Sequence, residues 1–229
     1  MINSKTNIQT TGRLVGFFLI LALLANLVGS ELLDAIVIAP DYLNAAFSAR
    51  TSIVMGMLLE LISAASVVGV LVLVYQTFKN ISPKIALAYF SFRLLEPAIT
   101  ISIILASMAI LSLSGQYLSA GGAEVGYFAV MGQVFLDIRN WALMIYIVIF
   151  SIGAVLFYSL LFKSRSVPRL FPIWGFVGVA LLLGGSLYEM FGFAADPMIY
   201  GMVTGLNEIA LGLWLLIKGF ANPLKGESQ

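Results

Sequence analysis

Apolar residues in this chain gather into six long runs, separated by short segments that hold most of the charges. The runs cover approximately Leu14–Leu33, Ile53–Tyr75, Ile85–Leu113, Met131–Phe162, Phe171–Phe193 and Met198–Phe220. An α-helix rises about 1.5 Å per residue, so about 20 apolar residues cross the roughly 30 Å hydrocarbon layer of a bilayer. The pattern therefore predicts an all-α polytopic bundle of six transmembrane helices. The third and fourth runs are longer than a bilayer needs and must tilt, kink or project beyond it. Local punctuation agrees with these boundaries. Ser82-Pro83 and Asp196-Pro197 each set a capping residue before a proline, Pro168 opens the fifth run and Pro223 follows the sixth.

Orientation follows from the basic residues. Lys5, Arg13, Lys79, Lys84, Lys163, Arg165, Arg169, Lys218 and Lys225 fall on one side of the six runs, and Arg50 alone on the other. The positive-inside rule then places both termini in the cytoplasm of a multi-pass protein of the cell inner (plasma) membrane. The opposite side carries Glu31, Asp34, Asp41, Glu124 and Asp196. A rival reading takes the first run, with Val28-Gly29-Ser30, as a cleavable signal peptide. The apolar character continuing through Leu32 and Leu33 argues against it. The connections around 34–50 and 114–130 are too short for a soluble domain, so residues 1–229 read as one transmembrane domain.

Composition strengthens this picture. Of the 229 residues 61% are hydrophobic and 10% charged, too few charges to solvate a water-facing surface, so the lipid bilayer is the main partner. A net charge of +1 without a basic tail or stripe gives no reason to expect nucleic acid. With no Cys and no His, disulfides, thiol nucleophiles and His-based metal or catalytic sites are excluded. Every lysine lies at a cytoplasmic edge, and no phosphate-binding or hydrolase motif occurs. No cofactor and no metal centre are expected.

The informative residues are the polar ones inside the runs. A charge at a helix centre costs about 2.5–3.5 kcal/mol on insertion scales, so such residues normally face a bundle interior. Residues three, four and seven apart share a helix face. Tyr89, Arg93, Glu96 and Thr100 form one stripe on the third run; Gln133, Asp137 and Asn140 form another on the fourth, with Arg139 pointing elsewhere. Gly56, Glu60 and Ser63 align on the second run, Gly178, Gly185 and Glu189 on the fifth, and Gly201, Thr204, Gly205, Glu208 and Gly212 on the sixth. In the first, Asn26 is the sole polar residue at mid-span. Pro97 frees the carbonyl of Arg93, either as a ligand contact or as a simple kink. The embedded acids Glu60, Glu96, Asp137, Glu189 and Glu208 outnumber Arg93 and Arg139 by three. That excess suits a proton, a cation or a cationic group, or else serves only as glue between helices.

Ala88-Tyr89-Phe90-Ser91-Phe92-Arg93-Leu94-Leu95-Glu96 resembles the Phe-Arg-x-x-Glu signature of a bacterial membrane family catalogued as domain of unknown function 4386. The segment from Glu208 to Gly219, Pro168-Arg169, and Arg13-Leu14-Val15-Gly16 are similar to other parts of its pattern. Asn207 and Pro97 stand where the family more often has small residues. The resemblance implies a bacterial membrane setting and marks Arg93, Glu96 and Glu208 as matches to the family's charged positions. It implies no activity.

Three functions from different classes compete. The favoured one is small-molecule or ion binding or transport, with Glu60, Arg93, Glu96, Asp137, Asn140 and Glu208 converging on one outward-facing acidic cavity that takes a proton or a small cationic ligand. A structural or accessory membrane subunit is the main alternative. A membrane-embedded enzyme acting on a lipid or isoprenoid, with carboxylates as acid or base, is the weakest.

Overall fold

A computed structural model of the chain describes residues 2–37, 39–121, 125–193 and 197–221. Glu124, Asp196, Pro223 and Lys225 lie outside them. The described residues form α1 (Ile2–Val37), α2 (Tyr42–Ser48), α3 (Arg50–Phe78), α4 (Pro83–Ser119), α5 (Val125–Ser164), α6 (Leu170–Met190) and α7 (Pro197–Lys218). All but α2 are long and apolar enough to cross a membrane. These six correspond to the six apolar runs, so the chain is a multi-pass integral membrane protein.

The helices outgrow the runs that nucleate them. The 40 residues of α5 correspond to about 60 Å, twice the roughly 30 Å of hydrocarbon, because backbone hydrogen bonding extends a helix wherever no breaker intervenes. Pro83 and Pro197 occupy first helical positions, where a missing N–H is harmless. Pro97 lies inside α4, which continues past it. Leu24, Leu105, Ile138, Val177 and Ile217 are exposed, as expected of surfaces solvated by lipid chains.

The chain divides into two compact units. Unit 1 comprises Met1–Leu23, Ala65–Pro97 and Ile147–Gln229. Its core contains Val15, Leu71, Val74, Phe157, Leu161 and Leu211. Glycine sets the closeness of α1 and α7 here: a Cβ on Gly16 would stand 2.5 Å from the Leu216 nitrogen. Beyond α7, Gly219 takes a positive φ of 70°, and the Ala221 N–H donates to the Ser166 carbonyl at 2.9 Å. The segment after α7 is thereby tied to the α5–α6 connection.

Unit 2 comprises Leu24–Ala64 and Ala98–Tyr146. Leu33, Ala46, Ile53, Met57 and Ile104 form its main core. Gly29 and Gly56 bring α1 and α3 close, since a Cβ on Gly56 would lie 2.9 Å from the Gly29 carbonyl oxygen. The short α2 is held by Ser114 on α4, whose hydroxyl donates to the Leu43 carbonyl at 2.6 Å and accepts the Phe47 N–H at 3.0 Å.

Candidate functional site

In unit 1, α4 presents Tyr89, Arg93 and Glu96 on one face, all buried. Arg93 Nη1 donates to both carboxylate oxygens of Glu96, at 3.0 and 2.9 Å, one helical turn along. Arg93 is 4% exposed and Glu96 1%, so this pair is almost wholly removed from surrounding solvent or lipid. A buried pair of this kind persists because removing either partner strands the other charge.

Helix α5 forms the wall against which the pair rests. The Arg93 guanidinium carbon lies 5.2 Å from the centre of the Phe150 ring, a cation–π contact. Gly153, three residues further on, is what admits the side chain. A Cβ there would stand 2.6 Å from Arg93 Cδ and 3.1 Å from Glu96 Oε1. Phe157, another turn along, stacks on Tyr89 with ring centres 5.7 Å apart. Phe150, Gly153 and Phe157 thus make one helical stripe complementary to the stripe on α4.

Helix α7 adds Thr204, Asn207 and Glu208. Asn207, fully buried, donates through Nδ2 to the Tyr158 hydroxyl at 3.0 Å. The Tyr158 ring itself fits because α6 has Gly175 there, where a Cβ would come within 2.3 Å. Gly178 brings α6 close to Thr204 as well, with 3.0 Å between a built Cβ and Thr204 Oγ1. Glu208 is partly buried and lies within electrostatic reach of Arg93, Glu96 and the two tyrosines. Neither ion pair among the described residues includes it. Two buried oxygens of this helix, Thr204 Oγ1 and Asn207 Oδ1, have no hydrogen-bond partner among the described residues.

Unit 2 carries a separate set of charges. Asn26 Nδ2 donates to both oxygens of Glu60, at 3.1 and 3.2 Å. Arg139 Nη2 donates to Asp34 Oδ1. Glu60 lies within electrostatic reach of both Arg139 and Asp34.

The six candidate residues therefore fall into three places. Arg93, Glu96 and Glu208 are grouped in unit 1, and Glu60 belongs to the unit 2 set. Asp137 and Asn140 are exposed, and Asp137 accepts a hydrogen bond from Gln133 at 2.8 Å. The expected inward turn of the Gln133, Asp137 and Asn140 stripe is thus corrected: Arg139, expected to point elsewhere, is the buried member of that segment. Near a span end a carboxylate or amide reaches headgroups or water, and insertion energetics no longer force it inward. On α7 the glycines also divide. Gly212 packs on Ile20 and Gly16 of α1, while Gly201 and Gly205 have no neighbour within 4 Å among the described residues.

Sequence reasoning passed over Asp34, Phe150, Gly153, Tyr158 and Asn207 as site residues. Asn207 was the most findable, a carboxamide beside a mid-span glutamate. Phe150 and Gly153 carry no such signal, since one is ordinary lipid-facing composition and the other an ordinary helix glycine until Arg93 is placed against it.

These features describe a polytopic helical membrane protein with ionisable groups buried between its helices. The model of the family Domain of unknown function (DUF4386) matches residues 14–219, and the chain belongs to that family. No curated protein and no solved structure matches it.

Proposed function

We propose that the protein binds or transports a small cationic solute or ion within the membrane, at the cluster of Arg93, Glu96 and Glu208. The observation that carries this is a charge imbalance. Arg93 is engaged by Glu96, and Glu208 is a second acid in reach of the same arginine that forms no ion pair among the described residues. Placing an acid in a bundle without a partner is expensive, and intramembrane ionisable groups commonly mark substrate or ion pathways. An acidic balance favours a proton, a cation or a cationic group. With both termini in the cytoplasm, as the basic residues favour, the cluster would sit near mid-membrane in the bacterial inner membrane.

A second reading, a structural or accessory subunit, is favoured by unit 2, where Glu60 and Arg139 each meet a polar partner at short range. Purified protein in liposomes, assayed for solute-stimulated ion or proton flux and for stabilisation by cationic solutes, separates the two. Handling predicts a response in the wild type that Glu208→Gln removes and Asp137→Asn leaves intact. A wild-type protein that stabilises with no solute and moves no ion would support the scaffold instead.

A further inference from the structure

We infer that the face of α7 carrying Thr204, Asn207 and Glu208 is a binding site for one small monovalent metal cation of the sodium class. The inference rests on the preceding reading and specifies its ligand. Buried hydroxyls on apolar helices usually resolve their hydrogen-bonding demand locally, by donating to the carbonyl four residues back. Ser107 and Ser151, both fully buried, do so here, at 3.0 and 2.7 Å. Thr204 does not: the residue is 97% buried, and its hydroxyl has no hydrogen-bond partner among the described residues. One turn along, the carboxamide oxygen of fully buried Asn207 is equally unpartnered, although its nitrogen is used by Tyr158. Buried polar atoms left unpaired are destabilising, and a ligand accepting lone pairs from both oxygens would meet that demand.

The chemistry of that ligand follows from the donors. A hydroxyl oxygen, an amide oxygen and a carboxylate are the hard oxygen ligands that alkali and alkaline-earth ions take. Residues at i, i+3 and i+4 of one helix are neighbours on its surface, which places the three groups together. Charge selects among these ions. Two carboxylates, Glu96 and Glu208, against the single Arg93 leave one negative charge, which a monovalent ion balances and a divalent one overshoots. Packing excludes a bulkier occupant. Gly178 brings the α6 backbone so close that even a built methyl would stand 3.0 Å from Thr204 Oγ1, so an organic ammonium has no room beside that oxygen. Neutral oxygens from a helix interior joined to one carboxylate would also couple ion occupancy to the Arg93–Glu96 pair, because Glu208 and Glu96 both act on Arg93.

Full-length protein in detergent micelles, titrated with NaCl and in parallel with KCl against choline chloride at constant ionic strength, tests this through its thermal midpoint and through direct binding of radioactive sodium. Wild type should show a saturable rise in midpoint with an alkali ion that choline does not reproduce. Thr204→Val, which keeps the side-chain shape without the hydroxyl, should raise the half-saturating concentration at least about tenfold, roughly the loss of one good ligand contact. Thr204→Ser should restore it, and Glu208→Gln should abolish it. Absence of any saturable alkali-ion response in the wild type overturns the inference, as does an unchanged half-saturation in Thr204→Val. If Thr204→Val fails to fold, the wild-type binding isotherm together with Thr204→Ser and Glu208→Gln decides the matter. A Glu208-dependent response to an organic cation or a proton gradient, with sodium and potassium inert, would overturn this inference while leaving the function proposed above standing.

Discussion

The two units bury charge in opposite styles. In unit 2, Glu60 is met at both oxygens by the neutral donor Asn26, and Arg139 by Asp34 on another helix. In unit 1, Arg93 and Glu96 satisfy each other within one turn of a single helix, and a further acid, Glu208, stands within reach of the arginine. A charge closed by a partner on another helix locks two helices together. A charge closed within its own helix does little for assembly, and an acid left over beside it is available to something else. The comparison separates polar groups used for packing from polar groups kept for a ligand, although both look alike as letters in an apolar run.

The strongest test of that contrast is removal of Arg93. Arg93→Ala should leave Glu96 buried opposite no cation and cost about 3–5 kcal/mol, read as a collapse in yield or in detergent-unfolding stability. The double variant Arg93→Leu with Glu96→Leu should recover most of the loss. If the two single losses simply add, the pair is not coupled.

Next in size comes the wall that receives the arginine. Gly153→Ala introduces a Cβ 2.6 Å from Arg93 Cδ, and the long side chain, fixed at its tip by Glu96, has little freedom to retreat. Overpacking of this kind typically costs about 1–3 kcal/mol. Thermal unfolding should report it, with Gly201→Ala as a control that shows no such loss, because a Cβ on Gly201 would meet nothing within 4 Å among the described residues.

An effect of the same order is expected in unit 2. Asn26→Leu removes the donor that meets Glu60, which should cost about 1–3 kcal/mol as an unsatisfied buried acceptor. Glu60→Gln, which keeps hydrogen-bonding capacity and discards the charge, should be milder than Asn26→Leu. The reverse order would mean that Glu60 needs its charge for something other than packing.

How far the sequence could be read depended on depth. The six spans and the burial of Tyr89, Arg93 and Glu96 were legible because, near a span centre, an ionised group has no alternative to facing the interior. The same logic misdirected the start of α5. Gln133, Asp137 and Asn140 make the more polar stripe, yet Arg139, about 100° around the helix from Asn140, is the polar residue that is buried. Close to the interface, an outward carboxylate is affordable and periodicity loses its authority over direction. Partnerships between helices were also out of reach. Asn26 and Glu60 are separated by 34 positions and Asp34 and Arg139 by 105, and spacing within one run says nothing about which runs become neighbours. Short α2 was invisible for a different reason, since seven residues give too little periodicity to register.

The smallest expected effect is also the one that bears on that misdirection. Asp137 is exposed and accepts a hydrogen bond from Gln133, which lies one turn away on the same helix and is exposed as well. A hydrogen bond between two exposed side chains one turn apart contributes at most about 0.5 kcal/mol. Asp137→Ala and Asn140→Ala should therefore change unfolding stability by less than about 0.5 kcal/mol, the range of ordinary surface substitutions. Both should leave any Glu208-dependent flux or binding untouched. By contrast, Arg139→Ala on the same stretch of α5 should be clearly destabilising, because it removes a buried cation that pairs with Asp34 and acts on buried Glu60. A loss of flux in Asp137→Ala at unchanged stability would show that the exposed stripe takes part in solute handling after all, and would join the two styles of charge placement that the units otherwise keep apart.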